Sequence, residues 1–273
     1  AIIKVKANEE GDRPMVEVND HGAIRVLTLN REPQLNAFNG GLFDALVEGL
    51  QAAAEDGTVS LVVLTGKGRA FTAGADLTEM GQKSTPPKHG FPGLLECLID
   101  YPKPIIAAIN GVAVGVGGTI CGLVDIVFMA ESAKMRCPFA SLGINPEAAS
   151  SLAFQQIMGP QRAAWFLYSA ETLSAQEAKA TGIALDVFPD EGFLETVLAK
   201  AEVLARQAPN SLQETKALMM APKKAAFREI IALENEALTR TVGSPENQEA
   251  IAAFMEKRSP DFTAARLRAA QQG

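Results

Sequence analysis

Apolar and polar positions along this chain fall into two rhythms. Residues 15–18 and 24–29 alternate on either side of Asn19-Asp20-His21-Gly22, which predicts a β-hairpin with His21 in an exposed turn. Leu42, Leu46 and Leu50 step by four, so 43–54 reads as a helix. Residues 60–65 (SLVVLT) are continuously apolar and end at Gly66-Lys67-Gly68, the pattern of a strand buried on both faces. Similar short runs at 105–109 and 125–129 enclose a glycine cluster and a short apolar helix, and a helix over 91–100 stops at Tyr101-Pro102-Lys103-Pro104. Residues 81–90, with Pro86 and Pro87, read as a loop that holds the second histidine, His89. Strands alternating with helices imply an α/β arrangement with crossover connections. From Ser174 the rhythm becomes helical. Ser174-Ala175-Gln176-Glu177 has the form of a capping box, and helices follow over 193–207, 211–220, 224–241 and 244–257. The expected division is an α/β core over 1–204 and a C-terminal helical region over 205–273.

Composition narrows the chemistry. With 273 residues and 47% hydrophobic content the chain can bury one sizeable core. Its 25 basic against 32 acidic residues supply no basic face, so nucleic acid is not an expected partner. Two histidines leave almost no material for a His-based metal site or triad, and no metal is expected. Cys97, Cys121 and Cys137 contain no C-x-x-C spacing and read as free thiols in a reducing compartment. Residues 105–130 carry one charge, Asp125, and a Gly111-x-x-x-Gly115 spacing suited to membrane helices. Asn110, further glycines and a change of rhythm midway instead favour two short buried elements, so no membrane span is expected. AIIKVKANEE lacks the apolar stretch of a secretory signal, and Gln-Gln-Gly is not a peroxisomal signal; a cytoplasmic protein is expected. Proton chemistry is then left to carboxylates and backbone groups.

Three segments could carry it. Arg69-Ala-Phe-Thr-Ala73-Gly74-Ala75-Asp76-Leu77 runs from a buried strand through a glycine turn, with Asp76 placed to cap a helix running toward Met80. Such a turn leaves N–H groups pointing outward, able to hold an oxyanion, although taken alone it reads first as an ordinary strand-to-helix connection. Asn110-Gly-Val-Ala-Val-Gly115-Val116-Gly117-Gly118 repeats the design, or simply packs a helix tightly on a sheet. Two such turns could each lend one N–H to a two-donor oxyanion hole. In Cys137–Ala148, Asn145 has the features of an N-cap, with Pro146 at the first helical position and Glu147 in the first turn. Glu147 could merely complement the helix dipole, worth about 0.3–1 kcal/mol. To act as a base it needs a dry surround, which Phe139, Leu142, Ala148 and Ala149 could supply.

In their order and spacing these segments resemble the crotonase (enoyl-CoA hydratase/isomerase) superfamily, from Arg31-x-x-Gln34-Leu35-Asn36-Ala37 to Lys257-Arg258-x-Pro260-x-Phe262. The resemblance implies a spiral of ββα units with C-terminal helices that assemble a homotrimer or a dimer of trimers. It implies an acyl-CoA substrate, with coenzyme A carried as part of the substrate and no separate cofactor. The N–H groups of Ala75 and Val116 would hold the thioester oxygen; Val116 stands where many members carry glycine, a change that keeps a backbone donor. The coenzyme A portion would lie near Arg31, Gln34, Leu35, Ala37, Ala73, Gly74, Asp76 and Leu77, with Lys257 and Phe262 reaching in from a neighbouring subunit. Arg31 and Lys257 read equally well as surface charges. The 81–90 loop would gate the acyl tunnel. Where the family's hydratases carry two glutamates this chain has Thr119 and Phe139. The surroundings of Glu147 are similar to the peroxisomal-type Δ3,Δ2-enoyl-CoA isomerase branch, whose single catalytic glutamate stands there. The expected activity is a C3-to-C2 double-bond shift in fatty acid metabolism. The alternatives are a hydratase, hydrolase or dehalogenase using Glu147, and a non-catalytic acyl-CoA-binding module.

Overall fold

The computed structural model describes residues 13–76 and 86–271. β1 (Val16–His21) and β2 (Ile24–Leu29) form the expected antiparallel hairpin, with His21 exposed beside its turn. α1 (Gly40–Glu55) starts at Asn39, whose side chain accepts the Leu42 N–H at 2.9 Å. Leu42, Leu46 and Leu50 are fully buried, each worth roughly 2 kcal/mol of apolar transfer. β3 (Leu61–Gly66), β4 (Ala70–Thr72) and α2 (Gly90–Asp100) follow. The same long strand, short strand, helix order recurs in β5 (Ile105–Ile109), β6 (Val112–Val114) and α3 (Val116–Thr119), then in β7 (Ile126–Ala130), β8 (Lys134–Arg136) and α4 (Ser150–Met158).

α5 (Pro160–Ser169), β9 (Thr172–Ser174), α6 (Ala175–Thr181) and β10 (Asp186–Phe188) complete the spiral. The long strands form a six-stranded sheet in the order β1-β2-β3-β5-β7-β10, parallel from β2 onward. The short strands form a second sheet, β4-β6-β8-β9, in which β4, β6 and β8 are parallel and β9 is antiparallel. This is the ββα spiral that the resemblance implied. No residue of β3 or β5 is exposed, as central parallel strands require. α7 (Phe193–Ala205) packs on β2, β3 and β5, and α8 (Pro209–Met220), α9 (Lys224–Thr241), α10 (Pro245–Met255) and α11 (Phe262–Ala270) end the chain. Ser174 and Glu177 form the full capping box of α6.

The apolar stretch 105–130 is divided among β5, β6, α3 and β7, and no helix among the described residues is long and apolar enough to cross a membrane. Its single charge, Asp125, accepts both the Ile105 N–H and Lys216 Nζ at 2.7 Å, tying α8 to the start of β5. One expectation is corrected: Asn145, Pro146 and Glu147 do not open a helix. α4 begins at Ser150, because Ala148 and Ala149 take positive φ values of 59° and 57°, which break the helical path between Glu147 and Ser150.

Candidate active site

The three chemistry-bearing segments leave the same end of three neighbouring parallel strands. Ala73–Asp76 follows β4, Gly115–Val116 follows β6, and the chain to Glu147 follows β8. The Gly115 N–H donates to the Arg136 carbonyl at 3.0 Å, joining the second segment to the third. The first two meet backbone to backbone: a Cβ on Gly74 (φ +97°) would sit 3.0 Å from the Val114 carbonyl oxygen. Both turns use a glycine at positive φ, Gly74 and Gly115, and so turn the following N–H outward from the sheet.

Those following N–H groups belong to Ala75 and Val116. Phe38 pairs with the first turn from both sides: its N–H donates to Gly74 O at 2.7 Å and its carbonyl accepts the Asp76 N–H at 2.9 Å. Neither the Ala75 N–H nor the Val116 N–H, at the first position of α3, has an acceptor among the described residues. Two free backbone donors on abutting turns have the makings of an oxyanion site.

Residues 31–38 fold over the first turn. The Ala73 N–H donates to Leu35 O at 2.9 Å, Thr72 Oγ1 to Asn36 O at 2.7 Å, and Asn36 Nδ2 to Ala70 O at 2.8 Å. Arg31, Leu35, Ala37, Ala73, Gly74 and Asp76 are thereby gathered into one cluster, with Gln34 exposed at its edge. Arg31 is not a surface charge: it is 5% exposed, and its Nη1 donates to Asp76 Oδ2 at 2.9 Å and to Ala37 O. Leu77, the helix expected from Asp76 toward Met80, and positions 81–85 of the gating loop lie outside the described residues. The far end of that loop is anchored by buried Asp44, which accepts the N–H groups of Lys88, His89 and Gly90. Lys257 is exposed and Phe262 half-buried, and no described hydrogen bond or ion pair joins either to the Arg31–Asp76 cluster. Instead α10 rests on the loop before Glu147, where Asn247 Nδ2 donates to Leu142 O at 2.7 Å.

Glu147 is half-buried on the turn that leads into α4, and its carbonyl accepts the Ser150 N–H and hydroxyl at 3.1 and 2.6 Å. Burial pushes its carboxyl up from 4.5 to about 7, assisted by the charge of Glu234. Just after β8, burial holds the Cys137 thiol well above its ordinary range, with the charge of Glu147 adding to it, so it stays neutral. Thr119 and Phe139 are both buried, and neither is a proton carrier. No group of three His, Cys, Asp or Glu side chains able to hold a metal occurs among the described residues.

Glu234 on α9 is the residue that sequence reasoning missed. It is buried, and its carboxylate accepts the Ala149 N–H at 2.8 Å, the Ser151 N–H at 3.0 Å and the Ser151 hydroxyl at 2.5 Å. Its signal was present: Glu234 interrupts the apolar helical stripe Phe227, Ile230, Ile231, Leu238. A cavity of about 400 Å³ lined by Cys121, Ala153, Ile157, Ile183 and Phe227 includes none of the site residues named above.

Comparison with known proteins agrees with this architecture. The Enoyl-CoA hydratase/isomerase family profile matches residues 19–265. The 2,3-dehydroadipyl-CoA hydratase of Escherichia coli K12 is 37% identical over 88% of this chain and 94% of its own length. Human enoyl-CoA delta isomerase 2 is 32% identical over 91% of this chain, which spans 65% of that longer protein. An enoyl-CoA hydratase/isomerase crystal structure from Pseudoalteromonas atlantica T6c superposes with a TM-score of 0.86 at 34% identity, covering 91% of this chain and 99% of the other. With the spiral, the paired glycine turns and this coverage together, the chain belongs to the enoyl-CoA hydratase/isomerase family, the crotonase superfamily of acyl-CoA enzymes.

Proposed function

We propose that the protein is a Δ3,Δ2-enoyl-CoA isomerase in which Glu147 shuttles one proton. The thioester carbonyl oxygen accepts the Ala75 and Val116 N–H groups. Glu147 removes a proton from C2, and the electron pair spreads over the thioester oxygen, C2 and C4 as a dienolate. The same carboxyl then delivers the proton to C4, and the double bond ends between C2 and C3. Nothing is consumed, so one carboxylate suffices. Preorganised donors stabilise the oxygen charge as it develops.

One observation carries this reading: a carboxyl raised to about 7 stands alone among the three positions where the resemblance would place an acid, with Thr119 and Phe139 at the other two. Adding water across a double bond needs one group to activate water and another to manage the α-proton, and this set has only one. In the same reading the Arg31–Asp76 cluster and Gln34 receive the coenzyme A portion. The resemblance implies a homotrimer or a dimer of trimers, and exposed Leu218, Met219, Leu233, Phe254 and Met255 on the C-terminal helices are apolar surface that such an assembly would cover.

The test is Glu147→Gln with a 3-enoyl-CoA, followed by the absorbance of the conjugated thioester. The expected loss is at least about 100-fold in kcat; turnover near wild type would overturn the assignment. The Escherichia coli hydratase relative favours hydration as the second reading. Loss of conjugated absorbance from a 2-enoyl-CoA with the wild-type protein would support it.

A further inference from the structure

The turn that carries Glu147 is held from outside the spiral. On its near side, Asn145 Nδ2 donates to the Glu234 carbonyl at 3.0 Å, and Thr241 Oγ1, on the same helix, donates to Asn145 Oδ1 at 3.0 Å. On its far side the Glu234 carboxylate takes the Ala149 N–H and both donors of Ser151. α9 therefore grips the chain two residues before Glu147 and two and four residues after it. Between the grips, Ala148 and Ala149 hold left-handed φ values that alanine disfavours, a turn that needs external support. A helix start is normally capped by its own Ser, Thr, Asp or Asn. Here the cap position is Ala149, whose methyl group offers no acceptor, and Glu234 supplies one from 85 residues away.

We propose that Glu234 is a positioning residue for Glu147, fixing the turn 145–151 from α9 and so setting the direction of the Glu147 carboxylate. The proposal rests on the reading of Glu147 as the base. It gives the C-terminal helices a part in the reaction besides assembly. Among the described residues, the charge that acts on Glu147 is that of Glu234 from α9, and Glu147 in turn helps hold the thiol of Cys137, just after β8, neutral. Burial raises the Glu234 carboxyl as well, against the Ser151 and Ala149 hydrogen bonds that favour its charged form; once ionised, it opposes ionisation of Glu147 and keeps that base strong enough to take a C2 proton.

Glutamine at 234 keeps the size but offers one acceptor and one donor where two acceptors are needed. In Glu234→Gln, kcat for a 3-enoyl-CoA should fall about 10-fold or more with KM within about 3-fold, the pattern of a lost transition-state interaction. The acidic limb of the kcat/KM profile, expected near 7 in the wild type, should move to lower pH, because the opposing charge is gone. Glu234→Asp, which keeps the charge on a shorter arm, should hold the limb in place while kcat still falls. A merely structural role would lower the folded fraction and leave both kcat per folded site and the limb unchanged. Should Glu234→Gln fail to fold, Ser151→Ala removes the one hydroxyl that donates to the Glu234 carboxylate, and an unchanged kcat there overturns the proposal. Glu147→Gln is run in parallel. Retained turnover in it overturns the base reading; lost turnover in it with an unchanged kcat and limb in Glu234→Gln overturns the positioning role alone.

Discussion

Replacing Glu147 by glutamine should stabilise the protein, increasingly as pH rises above about 4.5. The carboxyl is raised from 4.5 to about 7 in the folded chain, first by burial and then by Glu234. At about 1.36 kcal/mol per unit, holding it ionised costs the folded state about 3 kcal/mol. The sign follows from proton counting. Between about pH 4.5 and 7 the folded chain retains a proton that the unfolded chain has lost, so stability falls as pH rises through that window. The favourable contribution is complete below about 4.5 and gone above about 7. Glutamine does not titrate, so the variant's advantage should be flat near pH 4, grow through the window and level off near pH 8. Paired urea titrations at about pH 4.5, 6, 7 and 8, at one protein concentration so that assembly is held constant, read this difference directly. Glu234 is present in both proteins, so only its coupling to Glu147 enters the comparison. Parallel stability curves for wild type and variant across that range would refute the assignment of a carboxyl held neutral by its surroundings. A stabilised but inactive variant is the expected signature of a residue kept for chemistry at the expense of stability.

Gly74→Ala should cost about 1–2 kcal/mol, since φ +97° is strained for alanine. It should also lower kcat more than KM, because the new Cβ at 3.0 Å from Val114 O displaces the Ala75 N–H; thermal melting and steady-state assays check both. Asp76→Ala leaves the buried Arg31 guanidinium without its carboxylate. A loss of about 3–5 kcal/mol in urea titration is expected, and rescue by the further change Arg31→Met would identify the stranded charge as its cause.

The long strands and helices are legible because their side chains repeat: Leu42, Leu46 and Leu50 at helical spacing, and the unbroken apolar runs of β3 and β5. The short strands β4, β6 and β8 are not, since three residues hold no period, yet they bring the three site segments to one edge. Local pattern marked the two glycine turns, but the weight put on Glu147, Thr119 and Phe139 came from the family resemblance. Asn145-Pro146-Glu147 has every local feature of a helix start, and the fold overrides it, because contacts from α9 and two left-handed alanines delay the helix to Ser150. Arg31 could be read as a surface charge only until Asp76, 45 residues on, was found against it. The raised carboxyl of Glu147 belongs to neither segment alone. Desolvation and a neighbouring charge depend on what surrounds a group in space, and Glu234 reaches it only through the tertiary structure.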